Sequence, residues 1–287
     1  MKNSINLVLV LTAIIFSINI QAQIQSPRLE NSLLWEVSGN GLSKPSYLYG
    51  TIHMICGEDY FLSEKTKKAF EASEKLVLEI NFADPNEMTE VQKLAMGKET
   101  LSKKLSTEQL AKLEEILKKT AGLTVQQVDS FSLMTVMSLI SMKSFDCVDL
   151  KFYEMEFIDQ AKKRNIEIGG LESVKSQFAI LENAYSNDEI LNLLNESTPE
   201  ETAELVAMYK AENVDGAYAL ATNLKFTSEK TKKAILDGRN MNWVKIMPDL
   251  MKKESTFFAV GAAHLGGEEG IINLLRRAGY QVKPVTK

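Results

Sequence analysis

The chain of 287 residues contains two histidines, and both stand in the same setting. Gly50-Thr-Ile-His53 follows the apolar run Tyr47-Leu48-Tyr49. Gly261-Ala-Ala-His264 follows Phe257-Phe258-Ala259-Val260. A short apolar run that stops at glycine reads as a buried strand ending in a turn. Each imidazole then projects from a strand end, the edge at which open α/β sheets bind ligands. Two imidazoles at one edge, completed by one or two carboxylates, suit a divalent cation such as zinc, manganese or cobalt. Such an ion, with an open position, activates water or polarises a carbonyl, which is what a hydrolase needs. Without a metal, a histidine paired with a glutamate serves as general base for the same chemistry. One Gly-x-x-His alone carries no such meaning. The repetition, in a chain with no other histidine, does.

Two carboxylates are candidates to join them. Glu79 lies in Leu76-Val77-Leu78-Glu79-Ile80, an apolar run read as a buried strand. A carboxylate is costly to bury there without a partner. Glu79 therefore either faces solvent on an edge strand or points to the histidines' edge, and its place just before the turn-like 81–85 favours the second. Glu172 follows Ile166-Glu167-Ile168-Gly169-Gly170, a strand ending in glycines, and precedes a helix from Val174. It reads equally as a favourable charge at a helix N-terminus, worth ~0.3–1 kcal/mol, and as a second site carboxylate. Arg239 and Trp243 stand four apart on a helix read over 228–252 and share a face. That arginine is either a surface residue with its stem on the indole or an anion-holding group turned into the cleft. No Gly-x-Ser-x-Gly, His-Glu-x-x-His, P-loop or dinucleotide fingerprint is present. The fold itself must bring the distant histidines together.

The elements that position these residues follow from periodicity and turn signals. Runs at 33–37 and 46–50 flank a Gly/Asn/Pro segment and read as a hairpin. Ser63 caps a first helix. Helices follow over 85–96, 106–119, 128–143 and 149–163. The methionines Met134, Met137 and Met142 read as a core stripe rather than a binding surface. Segment 186–222 reads as short acidic helices with solvated faces and no site. The most apolar strand, 256–262, precedes a helix over 271–277 and a last strand over 280–285. The sum is an α/β (α+β) fold: a mixed central sheet, flanking helices and a large helical insertion at about 86–225.

Lys2, the apolar run 7–20 and Gln21-Ala22-Gln23 describe a secretory leader cleaved after Ala22. The run is shorter than the ~20 residues that span a bilayer. Residues 23–287 then form one exported domain, periplasmic or secreted, with no stable membrane span. A net charge of −5 argues against a nucleic acid partner. Export permits a disulfide between Cys56 and Cys147, which are the two cysteines of the chain. Such a bridge braces the loop behind His53.

The sequence resembles the TraB/GumN family. Tyr47-Leu-Tyr-Gly-Thr-Ile-His53 and Ala259-Val-Gly-Ala-Ala-His264 look like its paired Gly-x-x-His motifs. Leu76-Val-Leu-Glu79 looks like its motif carboxylate, Gly170-Leu-Glu-Ser-Val-Lys-Ser-Gln177 like its Gly-Leu-Glu-Thr…Gln segment, and Arg239-Asn240 with Trp243 like its Arg-Asn…Trp helix. Ser173 replaces the family's threonine. The family includes the Tiki-type Wnt-cleaving metalloproteases and is related to the erythromycin-esterase and ChaN-like folds. The resemblance implies metal-dependent cleavage of a peptide or small-molecule substrate, with manganese or cobalt favoured. It implies that His53 and His264 hold metal or act on water, with Glu79 as ligand or general base. It implies further that Glu172 and Arg239 support substrate or transition state. The erythromycin-esterase relation implies a metal-independent His/Glu hydrolase as the alternative, and the ChaN relation a haem- or metal-binding protein without catalysis.

Overall fold

The computed structural model describes residues 28–196, 198–224 and 227–286. The leader read at 1–22 lies outside them. Eight strands are present among the described residues: β1 (Leu34–Ser38), β2 (Ser46–Thr51), β3 (Met54–Cys56), β4 (Lys75–Leu78), β5 (Leu150–Phe152), β6 (Glu167–Gly170), β7 (Thr256–Gly261) and β8 (Gln281–Pro284). Six of them form one mixed sheet in the order β6-β4-β7-β2-β1-β8, and β3 pairs with β5 in a separate ribbon. The fold is α/β, as the pattern of runs predicts.

The β1–β2 hairpin turns through Gly39, Asn40 and Gly41, all with positive φ, a conformation glycine and asparagine tolerate. The next pairings matter most for function. β2 lies parallel to β7, β7 to β4, and β4 to β6. Four neighbouring strands therefore end on one edge of the sheet. All residues of β4 and β7 are buried, which is why both read as near-continuous apolar runs. Phe257 of β7 packs with Tyr49 of β2, with Phe70 of helix Glu64–Ala72 and with Phe157 of helix Tyr153–Arg164. Losing one such buried ring costs about 3–5 kcal/mol.

Between β4 and β7 the chain is mostly helical, interrupted by β5 and β6. Its helices build a second core, separate from that of the sheet, around Leu113, Leu117, Val136, Ile140, Leu191 and Leu194. Met134 is buried in it and Met137 packs against it, while Met142 is 37% exposed. Two boundaries differ from the sequence reading. The apolar stretch from Val128 is broken, and its helix begins at Leu133, because Ser132 takes the N-cap and accepts from the N–H of Thr135. The helix read from Asp149 begins at Tyr153, because 150–152 are taken up by pairing with β3. Among the described residues no helix is long and apolar enough to cross a membrane.

The Cys56–Cys147 disulfide is formed. It closes the far end of the β3–β5 ribbon, whose near end carries His53. The bridge spans a sequence separation of 91 residues. Constraining so long a loop in the unfolded chain implies that Cys147→Ser lowers stability by roughly 2–5 kcal/mol. Denaturant midpoints of the variant and of the reduced parent chain measure this. Unshifted midpoints in both would mean that strand pairing alone holds the ribbon.

Candidate functional site

The four parallel strands deliver their residues to one edge. His53 lies just past β2, Glu79 directly after β4, Glu172 just past β6, and His264 at the end of the short 3-10 turn Ala262–His264 that follows β7. Backbone bonds lock two of these ends together: the N–H groups of Leu171 and Glu172 donate to the carbonyl of Glu79 at 3.1 and 2.9 Å. Glu79, read as the penultimate residue of a strand, thus stands beyond it. Its buried side chain is paired rather than solvated.

Arg239 ties the edge together. Its Nη2 donates to Glu79 Oε2 at 2.5 Å and to Glu172 Oε1 at 2.6 Å, its Nε to Glu172 Oε1 at 2.9 Å, and its Nη1 to His264 Nε2 at 3.1 Å. Gln177 Nε2 donates to both carboxylates. The guanidinium also stacks on Trp243, 4.6 Å from the ring centroid. Of the two readings of this arginine, the surface one is overturned: Arg239 is 6% exposed. Its helix, Gly238–Lys253, is preceded by a π-helical turn, Lys233–Asp237. The extra residue of that turn shifts the register that follows, and Arg239 Nη1 reaches back to the carbonyl of Ile235.

Each histidine is oriented through Nδ1. Asn240 places Oδ1 2.6 Å from His264 Nδ1, and its own Nδ2 donates to the carbonyls of His264 and Glu269, which fixes the amide. His264 therefore carries its proton on Nδ1 and turns the Nε2 lone pair to Arg239 and toward Glu79 Oε1, 3.9 Å away. Burial holds it near pKa 3, so it is neutral at pH 7. His53 Nδ1 lies 2.7 Å from Glu154 Oε1, which also accepts from Thr51 Oγ1. Its packing alone would lower its pKa, but the Glu154 carboxylate outweighs this and raises it to about 9. The ring side chain is 57% exposed, so solvent screens part of that attraction. His53 also has φ 62°, left-handed for a residue with a Cβ. Such strain persists where surroundings over-determine it, and here the Tyr153 N–H holds the His53 carbonyl at 2.8 Å.

Burial alone would raise Glu79. His264, Arg239 and His53 pull it the other way, to about 2, with help from the Gly261 N–H at 2.7 Å. Since His264 is uncharged at neutral pH, Arg239 and the protonated His53 are the lasting sources of that effect. Glu79 is thus a stable anion and a weak base.

Gly261 is the hinge of the arrangement. A Cβ there would sit 3.0 Å from His53 Nε2 and 3.3 Å from Glu79 Oε1. The missing side chain leaves a cradle faced by an imidazole nitrogen and a carboxylate oxygen, donors that suit a divalent transition metal. His264 Nε2 would be the third donor, and Arg239 Nη1 lies against it. Among the described residues, no three His, Cys, Asp or Glu groups stand close enough to hold an ion as they are. Gly50 has a packing reason instead: its Cβ would come 2.9 Å from Leu265 and 3.0 Å from Ala262.

A cleft of about 350 Å³ opens over this edge, lined by His53, Arg239, the 261–264 turn and several apolar side chains. Part of its wall comes from helices Pro199–Lys210 and Val214–Ala221. The reading of 186–222 as solvated faces without a site is therefore corrected: Leu205, Tyr209, Ala217 and Leu220 face the cleft. In the first of these helices Glu200, Glu201 and Glu204 on the opposite face mask the apolar period. Glu154 is the second omission. It sits in the first turn of a helix, where a glutamate ordinarily serves the helix dipole, and only the β3–β5 pairing reveals that it meets His53.

The chain is 23% identical to a protein named Metalloprotease TIKI1 from Xenopus tropicalis, over 88% of this chain and 61% of that one. It is 22% identical to Metalloprotease TIKI2 from Danio rerio, with the same coverage. A Metalloprotease TIKI homolog from Nematostella vectensis matches at 22% over 89% of this chain and 67% of its own length. The chain thus spans about three fifths of the length of the first two relatives. Residues 33–284, from the first strand of the hairpin to the last strand of the sheet, match the TraB/PrgY/gumN family, and the chain belongs to it.

Proposed function

We propose that the protein is an exported metal-dependent hydrolase, and that its substrate is a peptide. The observation that carries this reading is the convergence of His53 Nε2 and Glu79 Oε1 on the cradle at Gly261, with His264 oriented beside them. Outer partners that fix Nδ1 of a ligating histidine are the usual companions of metal sites, and Glu154 and Asn240 have that position. The names of the relatives support peptide cleavage. The formed disulfide supports an oxidising compartment and hence export, through the leader at 1–22.

His53, Glu79 and His264 would hold the ion, which would be manganese, cobalt or zinc. When bound, it would supply Lewis acidity to a substrate carbonyl or to a water. Glu79 acts as ligand rather than general base, because a carboxylate held near pKa 2 takes protons poorly at neutral pH. Arg239 holds the carboxylates of Glu79 and Glu172 in place at the floor of the cleft. His264 completes the set once Arg239 Nη1 releases its Nε2. The metal-free His/Glu alternative rests on that same Arg239–His264 contact and on a His53 that keeps its proton.

Metal content and peptide cleavage separate the two. The purified chain should take up manganese, cobalt or zinc and lose activity to a chelator. His264→Ala and Glu79→Gln should each cut metal affinity by more than the ~10–100-fold typical of outer partners. If both variants keep metal and activity, the metal reading is lost; activity indifferent to chelation favours the alternative.

A second expectation uses the cradle. Gly261 has φ −55° and ψ 135°, values open to alanine. Gly261→Ala should keep the fold, with an unchanged circular dichroism spectrum, while its methyl crowds His53 and Glu79. Metal affinity and kcat/KM should both fall. Full metal binding in the variant would place the ion elsewhere. Asn240→Ala, which frees the His264 ring, should weaken metal binding by roughly 10–100-fold, measured by titration with manganese.

A further inference from the structure

The cleft beside the histidines has polar groups on its floor and apolar side chains on its walls. Its floor is the 261–264 turn with His53 and Arg239. Its walls include Ile52, Leu181, Leu205, Leu220, Ile235 and Leu236. None of the lining residues is acidic or a lysine. The charged side chains that reach it are already engaged: Arg239 by Glu79 and Glu172, His53 by Glu154. A charged occupant would thus meet no free counter-charge and would lose its hydration. An apolar one would gain from burial in proportion to its area. About 350 Å³ lies at the small end of ligand pockets, enough for one large side chain with its flanking backbone.

The wall is a built feature. Helix Val214–Ala221 lies over the turn because Tyr218 packs on bare backbone: a Cβ at Gly266 or Gly267 would come 2.8 or 2.3 Å from its atoms. Asn213 caps this helix by accepting from the Gly216 N–H. Behind Leu205, Tyr209 donates to the carbonyl of Gly50 and meets the hydroxyl of Tyr49, anchoring the second helix to the sheet. Ala217 and Ala221 are the small residues that leave the space open.

From this we infer that the cleft is a specificity pocket for a large aliphatic or aromatic side chain, contributed by the substrate residue that flanks the cleaved bond. The inference rests on the hydrolase reading for the word cleaved, though not for the preference itself. An apolar residue seated between Leu205 and Ile235 lays its neighbouring peptide bond over the 261–264 turn, beside His53 Nε2 and His264.

The test uses internally quenched nonapeptides of Gly, Ser and Asn with one central residue varied among Leu, Phe, Ala, Lys and Glu. Cleavage is followed with manganese present, and binding of the same peptides to the His264→Ala chain is followed by fluorescence anisotropy. Leu and Phe peptides should be cleaved, and bound, about 10-fold or more better than Lys and Glu peptides. Ala217→Phe, which fills the pocket, should shrink the Leu-over-Ala ratio to within about threefold. Ala221→Phe serves the same purpose should the first variant fail to fold. Equal handling of Leu and Lys, or a Leu-over-Ala ratio unchanged in both variants, overturns the pocket. If no peptide is cleaved but Leu and Phe peptides bind selectively and the fillings abolish this, the hydrolase reading fails and the pocket stands. A concentration-dependent dimer of the parent chain that Ala217→Phe disperses would name a second copy as the occupant and overturn the proposal.

Discussion

One buried guanidinium governs this molecule's functional edge. Arg239 is 6% exposed and lies between two carboxylates that are nearly as buried. Removing three charges from water costs several kcal/mol per ion, and their attraction in the interior returns that cost only when every donor is met. Here the hydrogen bonds are nearly all satisfied: Nε and Nη2 to Glu172, Nη2 to Glu79, Nη1 to His264 and to the Ile235 carbonyl. A buried ion cluster of this kind is weak evidence for stability, since a well-packed apolar core of the same volume does as well. Its persistence at the edge where four parallel strands end points to work done there instead. The π-helical turn before Arg239 agrees with this, because such turns cost hydrogen-bond geometry and recur at functional sites.

The parallel strands impose the second constraint. Because β2, β7, β4 and β6 run the same way, whatever follows each strand arrives at a common edge. Direction alone would leave the side chains loose. The β3–β5 ribbon, closed by the Cys56–Cys147 bridge, carries Glu154 to His53, and the Arg239 helix carries Asn240 to His264. The two imidazoles are therefore set by different machinery and end in different states, one drawn toward its cation by a carboxylate, the other kept neutral by burial and an amide.

What was legible in the sequence follows from this. The Gly-x-x-His pair could be read because its signal is local, an apolar strand, a glycine and a polar residue in immediate succession. The hairpin and the first helix cap were legible for the same reason. Glu79 could be singled out because a carboxylate in an apolar run is anomalous in itself. Glu154 could not, since a glutamate in a helix's first turn is ordinary and its meeting with His53 depends on antiparallel pairing between segments about a hundred residues apart. The cleft walls were hidden for a related reason. Helix Pro199–Lys210 presents Glu200, Glu201 and Glu204 outward and apolar residues inward, and a sequence does not say whether an inward face meets core or open space. Arg239 shows the limit from the other side. Its pairing with Trp243 was visible as a helical spacing, but its burial was fixed by carboxylates from two distant strands.

Three carboxylates stand around the two histidines, Glu154 against His53 and Glu79 and Glu172 against the guanidinium of Arg239. With both imidazoles neutral, that set holds three negative charges and one positive. The Glu154 carboxylate beside His53 draws a proton onto its ring, whose pKa rises to about 9. A divalent cation in the cradle at Gly261 would balance the same excess and would replace that proton, as metals do when they bind histidine. His53 is the group suited to the exchange, for its Nδ1 is already held by Glu154 and its Nε2 faces the cradle. The same charge that holds Arg239 inside the protein is thus what would attract a metal to it.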